Sequence, residues 1–559
     1  MRKKNAYIYP DETFMDSENI PAFKTAQFEG VIEKPISRRV FINIMGVFLL
    51  IVIFFAGRIF DLQVVRGDYF RARSENNRLK SEVLFPDRAI IYDRNNVPLV
   101  WNDFDLRIYS DLPGLSHILG FVGLPSRNDM ERLGLVSPEL MVGKDGIEAA
   151  YEKRLSGEPG TKLIERNSKG EITSESVEEP AKHGENITLT IDSRLQSRFF
   201  EILNSVAKDR GFLGGAGVIM DARDGSILSL ISVPEYSSNV MSKRDSPGEI
   251  KRLLGDDRKP FLNRAISGLY EPGSTIKPLI ALAALGEGII TPEEKIFSSG
   301  SISIPNPFFP DLKSVFLDWK AHGWVNMRQA LSVSSNVYFY EVGGGYERMK
   351  GLGIQKINEY GRRFGFEEKT GIDLPGEEVG TVPSPERKRE NNPEDPIWRI
   401  GDTYHTSIGQ GIFQVTPVRM AVYAAIIANS GSIVRPHLYL HGEGEDSALP
   451  PEDYVIKNLE LPKEYFNVIQ EGMRLGVLEG TASALNISGV KIAAKTGTAQ
   501  VGPLKQKVNS WIIGFFPYEE PKYVFTIVLE KGASGNLVGA LYSARELVDW
   551  ISVYRPNYF

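Results

Sequence analysis

Hydrophobic positions along the chain fall into three regions with different patterns. The first is an uncharged run at residues 40–57 that, with Ile59 and Phe60, approaches the roughly 20 residues of a membrane-spanning helix. The run begins too late and is too long for the apolar part of a signal peptide, and it lacks a good Ala-x-Ala cleavage site. The pattern therefore predicts one transmembrane helix at residues 40–59, retained in the mature protein.

Residues 1–39 mix both charges with several prolines, which is typical of a tail with little fixed structure. Basic residues flank the predicted helix on both sides, so the positive-inside rule gives almost no orientation.

The second region, residues 60–185, has short apolar stretches between turn signals and carries no catalytic motif. It predicts a mostly β pedestal.

The third region, residues 186–559, alternates strand and helix patterns. Asp224-Gly225 joins two strand-like runs as a hairpin signal, and a second pair of runs, 511–516 and 523–529, lies near the carboxyl terminus. Apolar helices are predicted at 275–285, at 417–428 with Thr416 as N-cap, and at 538–551. The pattern predicts an α+β domain. The charged, proline-rich segment 383–396 reads as an exposed loop.

Composition narrows the function classes. A length of 559 residues leaves room for two or three domains, and a net charge of −6 gives no electrostatic case for binding nucleic acid. With no cysteine, the chain forms neither disulfides nor thiolate metal sites.

Three short motifs carry the candidate chemistry: Ser274-x-x-Lys277, Ser334-Ser-Asn336 and Lys495-Thr-Gly-Thr498. Each also occurs elsewhere, as Ser205/Lys208 and Ser488/Lys491, Ser237-Ser-Asn239, and Lys369-Thr-Gly371, so context must select among the copies. Ser274 follows Pro272-Gly273 and opens an apolar helix, whose amino-terminal N–H groups favour developing negative charge. The motifs in this order therefore predict a serine acyl-transferase.

The residue types fit that chemistry. Lys277 can act as the base for Ser274 if burial and a second positive charge, from Lys495, lower its pKa. Ser334 can relay a proton to a leaving amine, and Asn336 can hydrogen-bond a substrate amide. Lys495, Thr496 and Thr498 can hold a carboxylate, Gly497 leaves the strand face open to an extended substrate, and the N–H groups of Ser274 and Thr498 can form an oxyanion hole.

Several further stretches match a known family. With the three motifs, the chain resembles the penicillin-binding proteins from about Arg38 onward, most closely the class B enzymes of the elongation type. The stretches are Pro86-Asp-Arg88 with Tyr92-Asp-Arg94, Gly143 to Glu148, Asp318-Trp-Lys320 with His322-Gly323, Thr370 to Gly376, and Gly409-Gln-Gly411 before Val415-Thr-Pro417.

The resemblance implies an antiparallel sheet flanked by helices in the serine β-lactamase-like transpeptidase domain. It also implies a D,D-transpeptidase that cross-links peptidoglycan stem peptides through Ser274 and is acylated by penicillins. Lys277 would be the base, Ser334 and Asn336 the relay and substrate contact, and Lys495 to Thr498 the carboxylate and strand contact. No cofactor is implied. The catalytic domain would face outward from the inner membrane, beside a RodA-type SEDS glycosyltransferase and other elongation proteins.

Two features depart from the family pattern. Only about seven residues join Tyr109 to His117, where elongation enzymes usually carry a head subdomain. Some elongation enzymes carry a metal near the Asp318/His322 pair, but without a clear third ligand we predict a hydrogen-bonded structural pair and no metal.

Alternatives stay open at this point. A D,D-carboxypeptidase differs only in using water as acceptor. A division-type transpeptidase, a β-lactamase or penicillin sensor, and a scaffold that mainly activates a membrane glycosyltransferase would share some or all of these features. The Glu-x-x-Leu-Asn motif of one β-lactamase class is absent. Asp318-Trp-Lys320 and the Gly143 to Glu148 stretch argue against the division type.

Overall fold

The computed structural model describes residues 37–104, 106–134, 137–167, 169–243, 246–306, 309, 311–445, 454–502, 506–536 and 539–558. The predicted tail, 1–39, lies outside the described residues up to residue 36. The chain forms two compact units, one of residues 1–82 with 163–176 and one of residues 83–162 with 177–559.

The first unit contains the predicted membrane helix. Helix α1 spans Arg38–Phe60, and Ser37 Oγ accepts from Val40 N at its start. A single π turn, Asp61–Val65, follows it, and then comes α2, Gly67–Arg78. Together Arg38–Val65 is long and apolar enough to cross a membrane, and none of its most apolar stretch is buried. One such helix was predicted, and one is found among the described residues.

Short elements follow up to residue 189. The strands are β1 Leu79–Leu84, β2 Ile91–Tyr92, β3 Pro98–Asp103, β4 Leu106–Tyr109, β5 Val122–Gly123, β6 Val142–Gly143, β7 Gly160–Arg166, β8 Ile172–Glu179 and β9 Ile187–Leu189. The helices are α3 Ser116–Leu119, α4 Arg127–Leu133, α5 Gly146–Ala150 and α6 Glu152–Leu155. Only strands and turns were predicted here, because helices this short do not display a helical period.

A buried ion network holds this part of the second unit together. Glu148 is completely buried and receives Arg88 Nε at 2.5 Å and Arg107 Nε at 2.8 Å. Arg88 Nη2 also reaches Glu152 at 2.7 Å. Burial opposes ionisation of Glu148, but the two guanidinium groups outweigh it and hold the pKa of its carboxyl below the usual value.

The remaining elements form the α+β part. The helices are α7 Ser193–Asp209, α8 Ser238–Lys243, α9 Pro247–Leu254, α10 Arg264–Ser267, α11 Lys277–Gly286, α12 Met327–Val333, α13 Asn336–Gly344, α14 Gly353–Arg363, α15 Pro385–Asn391, α16 Ile400–Ser407, α17 Pro417–Ala428, α18 Lys463–Leu478 and α19 Gly539–Tyr554. The strands are β10 Gly214–Asp221, β11 Ile227–Val233, β12 Ile296–Ser298, β13 Ser301–Pro305, β14 Lys313–Leu317, β15 Gly323–Val325, β16 Ser432–Val434, β17 Tyr439–Gly442, β18 Val455–Asn458, β19 Ala493–Val501, β20 Lys507–Phe516 and β21 Tyr523–Ala533.

The central sheet is antiparallel with strand order β11-β10-β21-β20-β19. Both faces are covered, which explains the continuous apolar runs in β20 and β21. Ile512 packs into the core cluster that includes residues of α7 and α19, whereas its neighbour Ile513 packs into the cluster with α11 and α17. The predicted antiparallel sheet flanked by helices is confirmed, as is Thr416 as the N-cap of α17.

The segment 383–396 is largely exposed, as predicted, but the prediction that it is a loop is wrong. Residues Pro385–Asn391 form α15, with Ser384 Oγ capping Arg387 N and proline in the first turn. Lys388 is buried because its ammonium donates to Ile397 O and Asp402 Oδ2, both at 2.8 Å. The ion pair between Lys388 and Asp402 helps to hold this helix in place, and the local sequence pattern does not predict it.

Candidate active site

Ser274 lies in a 3₁₀ turn, Gly273–Ile276, that runs directly into α11. Gly273 has φ +54° and donates its N–H to Gly409 O at 2.9 Å. Thr275 Oγ1 bonds Pro272 O at 2.7 Å, which closes the turn. The half-buried Ser274 side chain is therefore presented from a rigid turn at the start of a helix.

Strand β19 passes closely against this turn. A Cβ on Gly497 would lie 2.8 Å from Thr275 Cγ2 and 3.0 Å from Pro272 O, and a Cβ on Gly273 would lie 2.9 Å from Thr498 O. Glycine is thus required on both sides of the contact. From the sequence, Gly497 was expected to leave the strand open to substrate. In the structure its bare Cα faces the turn that carries Ser274.

Lys277 is completely buried one turn after Ser274. Its Nζ donates to Ser334 O at 2.7 Å, to Asn336 Oδ1 at 2.8 Å and to Ser334 Oγ at 3.3 Å. Among the described residues, none hydrogen-bonds Ser274 Oγ. Lys277 thus joins the first motif to the second through its ammonium group.

Ser334 sits at the junction between α12 and α13 with φ +56°, a left-handed conformation uncommon for a serine. From β19, Lys495 Nζ donates to Ser334 Oγ at 2.8 Å and to Thr496 O at 2.9 Å. The hydroxyl of Ser334 therefore lies between two lysines. All three motifs meet at this point.

Burial changes the ionisation of both lysines. It lowers the pKa of Lys277 to about 7, although the nearby Asp318 carboxylate raises it in part. Burial together with the positive charge of Lys277 lowers the pKa of Lys495 well below its usual value. A lysine with a pKa near 7 is suited to act as a general base at neutral pH.

Thr496 and Thr498 are half-buried on β19. Thr496 Oγ1 donates to Thr481 Oγ1 at 2.7 Å, and Thr481 N bonds Ser332 O in α12 at 3.1 Å. Thr481 is not predicted as a site residue from the sequence, because it is remote from the motifs in the chain and belongs to none of them. It ties the third motif to the helix that ends at Ser334.

The competing motif copies lie elsewhere. Ser205 is on the exposed face of α7 and bonds Asp209 at 3.0 Å, and the exposed Lys491 pairs with Glu519. Asn239 hydrogen-bonds the backbone of Tyr109. Order and context in the sequence therefore selected the three copies that converge.

Asp318 has a role that differs from the one predicted. Its Oδ1 lies 3.7 Å from His322 Nε2, within reach of an ion pair but too far for a hydrogen bond, and that nitrogen has no hydrogen-bond partner among the described residues. Asp318 Oδ2 instead accepts from Ser335 Oγ at 2.8 Å and Val337 N at 3.0 Å. Within the described part of the chain, no three His, Cys, Asp or Glu side chains are grouped to hold a metal ion.

Known proteins match this chain over most of its length. The family model described as the penicillin binding protein transpeptidase domain matches residues 215–547, and the penicillin-binding protein dimerisation domain matches residues 105–189. The peptidoglycan D,D-transpeptidase MrdA of Haemophilus influenzae is 30% identical over 92% of this chain and 91% of its own length.

Two solved structures share the fold. The penicillin-binding protein PBP2 of Helicobacter pylori, in its complex with MreC, is 27% identical with a TM-score of 0.71, covering 86% of this chain and 99% of that one. A structure on the coordination of polymerization and crosslinking by a peptidoglycan synthase complex is also 27% identical, with a TM-score of 0.70, covering 91% of this chain and 97% of that one.

Proposed function

The chain belongs to the penicillin-binding protein transpeptidase family, and we propose that Ser274 is the nucleophile with which it acts as a peptidoglycan D,D-transpeptidase of the elongation type. The observation that carries the assignment is the position of Ser334 Oγ between Lys495 and Lys277, the residue that directly follows the turn of Ser274. Similarity to MrdA and to PBP2 over most of the chain favours the elongation type over the division type.

In the acylation step, neutral Lys277 takes the proton of Ser274 Oγ as that oxygen attacks the carbonyl carbon of the penultimate D-Ala. The N–H groups of Ser274 and Thr498 stabilise the negative charge on the carbonyl oxygen. The carbon–nitrogen bond to the terminal D-Ala then breaks, and its amine leaves with a proton delivered through Ser334 Oγ. An ester joins Ser274 to the donor stem.

In the second step, an amine of a neighbouring stem attacks the ester carbonyl. Lys277 accepts the amine's proton and returns a proton to Ser274 Oγ as the ester bond breaks. The product is a new amide cross-link, and the enzyme is regenerated. A penicillin acylates Ser274 in the same way through its lactam amide, but its leaving nitrogen remains tethered.

The carboxylate of the donor stem fits the region of Lys495, Thr496 and Thr498. Lys495 supplies positive charge, and the threonine hydroxyls supply hydrogen bonds. β19 lies at the edge of the central sheet, and an extended peptide can lie along such an edge. Asn336 Nδ2 donates one hydrogen to Leu317 O at 3.3 Å, which leaves its second N–H for a substrate carbonyl.

Membrane location and partners complete the proposal. α1 anchors the chain in the membrane, and the catalytic unit lies on the extracytoplasmic side, where stem peptides are cross-linked. A RodA-type SEDS glycosyltransferase is the proposed partner that polymerises glycan, and other elongation proteins are further candidates. Support comes from the relatives, one solved with MreC and one described within a peptidoglycan synthase complex.

Covalent labelling with a fluorescent penicillin tests the nucleophile. Full-length protein in detergent is compared with Ser274→Ala and with Ser205→Ala, the matched control on α7. We expect labelling to be lost only in Ser274→Ala. Equal labelling of all three would refute Ser274 as nucleophile, and full rescue of cell shape by Ser274→Ala would favour a scaffold function.

A further inference from the structure

Asp318 is a buried carboxylate directly behind the second motif. It follows β14, its side chain is 0% exposed, and its Oδ1 accepts from Trp319 N at 2.9 Å. Its Oδ2 accepts three hydrogen bonds, from Ser298 Oγ at 3.1 Å, Ser335 Oγ at 2.8 Å and Val337 N at 3.0 Å. Two of those three donors belong to the start of α13.

A carboxylate is favoured in that position because the first N–H groups of a helix are unpaired and carry positive partial charge. Asp318 thereby fixes where α13 begins. The residue before it, Leu317, accepts from Asn336 Nδ2 through its carbonyl oxygen, while Asn336 Oδ1 accepts from Lys277. The 317–318 segment and Lys277 therefore hold Asn336 between them.

Asp318 also contributes charge. Lys277 from α11 and Lys495 from β19 are both completely buried, and Asp318 is the carboxylate whose field acts on Lys277. The ring of Phe339, 5.5 Å from Lys277 Nζ, faces the same ammonium. His322 Nε2 lies 3.7 Å from Asp318 Oδ1, and the charge of Lys320 acts on that imidazole. The buried amine of Lys277 thus has a buried carboxylate near it that is already held by hydrogen bonds.

We propose that Asp318 is a positioning residue of the transpeptidase: it sets the junction of α12 and α13, so that Ser334 and Asn336 meet Lys277, and it balances the positive charge of Lys277. The inference rests on the proposed function, in which Lys277 is the base. Asp318 touches neither substrate nor Ser274 and acts through its neighbours.

The charge of Asp318 acts on the pKa of Lys277. The negative charge favours protonated Lys277 and so raises its pKa against the lowering caused by burial, with a net value of about 7. Without that charge the pKa of Lys277 falls further. The base is then neutral at lower pH, and the acid limb of the acylation profile moves to lower pH.

The experiment measures the second-order rate of acylation of the full-length protein in detergent by a fluorescent penicillin, between pH 5.5 and 8.5. Asp318→Asn removes the charge and keeps the shape, and Asp311→Asn removes an exposed carboxylate that precedes β14. We expect Asp318→Asn to lower the plateau rate by about 10- to 100-fold, as misplaced catalytic groups do, and to move the acid limb to lower pH. Asp311→Asn should match the wild type in both.

The outcomes separate this inference from the proposed function. A lower plateau with an unshifted acid limb, or an unchanged profile, would overturn the role of Asp318 while loss of labelling in Ser274→Ala still supported the nucleophile. Persistent labelling of Ser274→Ala would instead remove the proposed function. Should Asp318→Asn fail to fold, Ser335→Ala breaks the link between carboxylate and helix without changing charge. It should slow acylation several-fold with the acid limb in place, and an unchanged rate would refute the proposal.

Discussion

Ser334 Oγ accepts a hydrogen bond from Lys495 Nζ at 2.8 Å, although the two residues are 161 positions apart in the chain. Because the lysine is the donor, the hydroxyl proton of Ser334 is free to be given to another group. Lys277 reaches the same oxygen at 3.3 Å from the other motif. One hydroxyl thus connects two amines whose pKa values are both lowered.

Acylation of the wild-type protein should depend on pH with an acid limb near pH 7. Lys277 must be neutral to act as base, and its pKa is about 7 because burial disfavours the ammonium, with Asp318 opposing in part. The rate constant of penicillin acylation should therefore rise between pH 6 and pH 8. A rate independent of pH over that interval would exclude Lys277 as the titrating base.

Lys277→Met should abolish acylation and stabilise the fold. A lysine whose pKa is lowered from 10.5 to about 7 destabilises the folded state, and this penalty grows as pH falls from 10.5 and is complete below pH 7. We expect the midpoint of thermal unfolding at pH 6 to rise by about 1–4 °C, with a smaller rise at pH 9. The exposed Lys208→Met is the control and should leave both midpoints unchanged.

Gly497→Ala should damage the site through packing alone. The added Cβ would lie 2.8 Å from Thr275 Cγ2, so either β19 or the turn of Ser274 must move. We expect destabilisation of about 1–3 kcal/mol and loss of acylation by about 100-fold. Gly535→Ala, where the Cβ meets nothing within 4 Å, is the matched control. Normal acylation of Gly497→Ala would contradict the close contact.

Thr481→Val should lower the rate constant of acylation by about two- to tenfold, which corresponds to the loss of one neutral hydrogen bond. It removes the acceptor that fixes Thr496 Oγ1 at 2.7 Å. Thr481→Ser keeps the hydroxyl and should restore the wild-type rate. If valine and serine at this position behave alike, the hydroxyl is not what orients Thr496.

Glu148→Gln should destabilise the second unit by about 3–5 kcal/mol, because it removes the charge partner of the buried Arg107 and leaves the buried Arg88 with Glu152 alone. Since the folded-state pKa of Glu148 is lowered, its contribution is present above the usual carboxyl range and is lost as pH falls through the lowered pKa. Urea unfolding measures both effects. Glu158→Gln, which breaks an exposed pair with Lys182, should change stability by less than about 1 kcal/mol.

Strands and helices could be predicted from the sequence where a long apolar run or a local capping residue marks them. The strands β10, β11, β20 and β21 show continuous apolar runs because both faces of the sheet are buried, and α17 has a good N-cap in Thr416. α15 was missed because its buried Lys388 is neutralised by Asp402, which lies on another element. Short helices such as α5 were missed because one turn has no period.

The residues of the candidate active site could be predicted from local sequence context. Ser274 was selected by the Pro-Gly turn before it and the apolar helix after it, both of which are local signals. Asp318 was expected to hydrogen-bond His322, from which it lies 3.7 Å away, because sequence spacing shows which side chains share a local face but not which distant N–H groups need an acceptor. Its true partners, Ser335 and Val337, begin a helix that packs against it only in the folded domain.

The strand order of the central sheet determines when, during synthesis, the sheet can be completed. β21 lies between β10 and β20, so the strand that joins the amino-terminal pair to the carboxyl-terminal pair is among the last to be synthesised. Until then, β10 lacks its second neighbour, and the β19–β20 pair that carries Lys495 is not joined to the rest of the sheet. A ribosome-bound chain that has reached α18 carries Ser274 and Lys277 but not yet Lys495. We therefore expect full penicillin reactivity only in chains whose synthesis has passed β21.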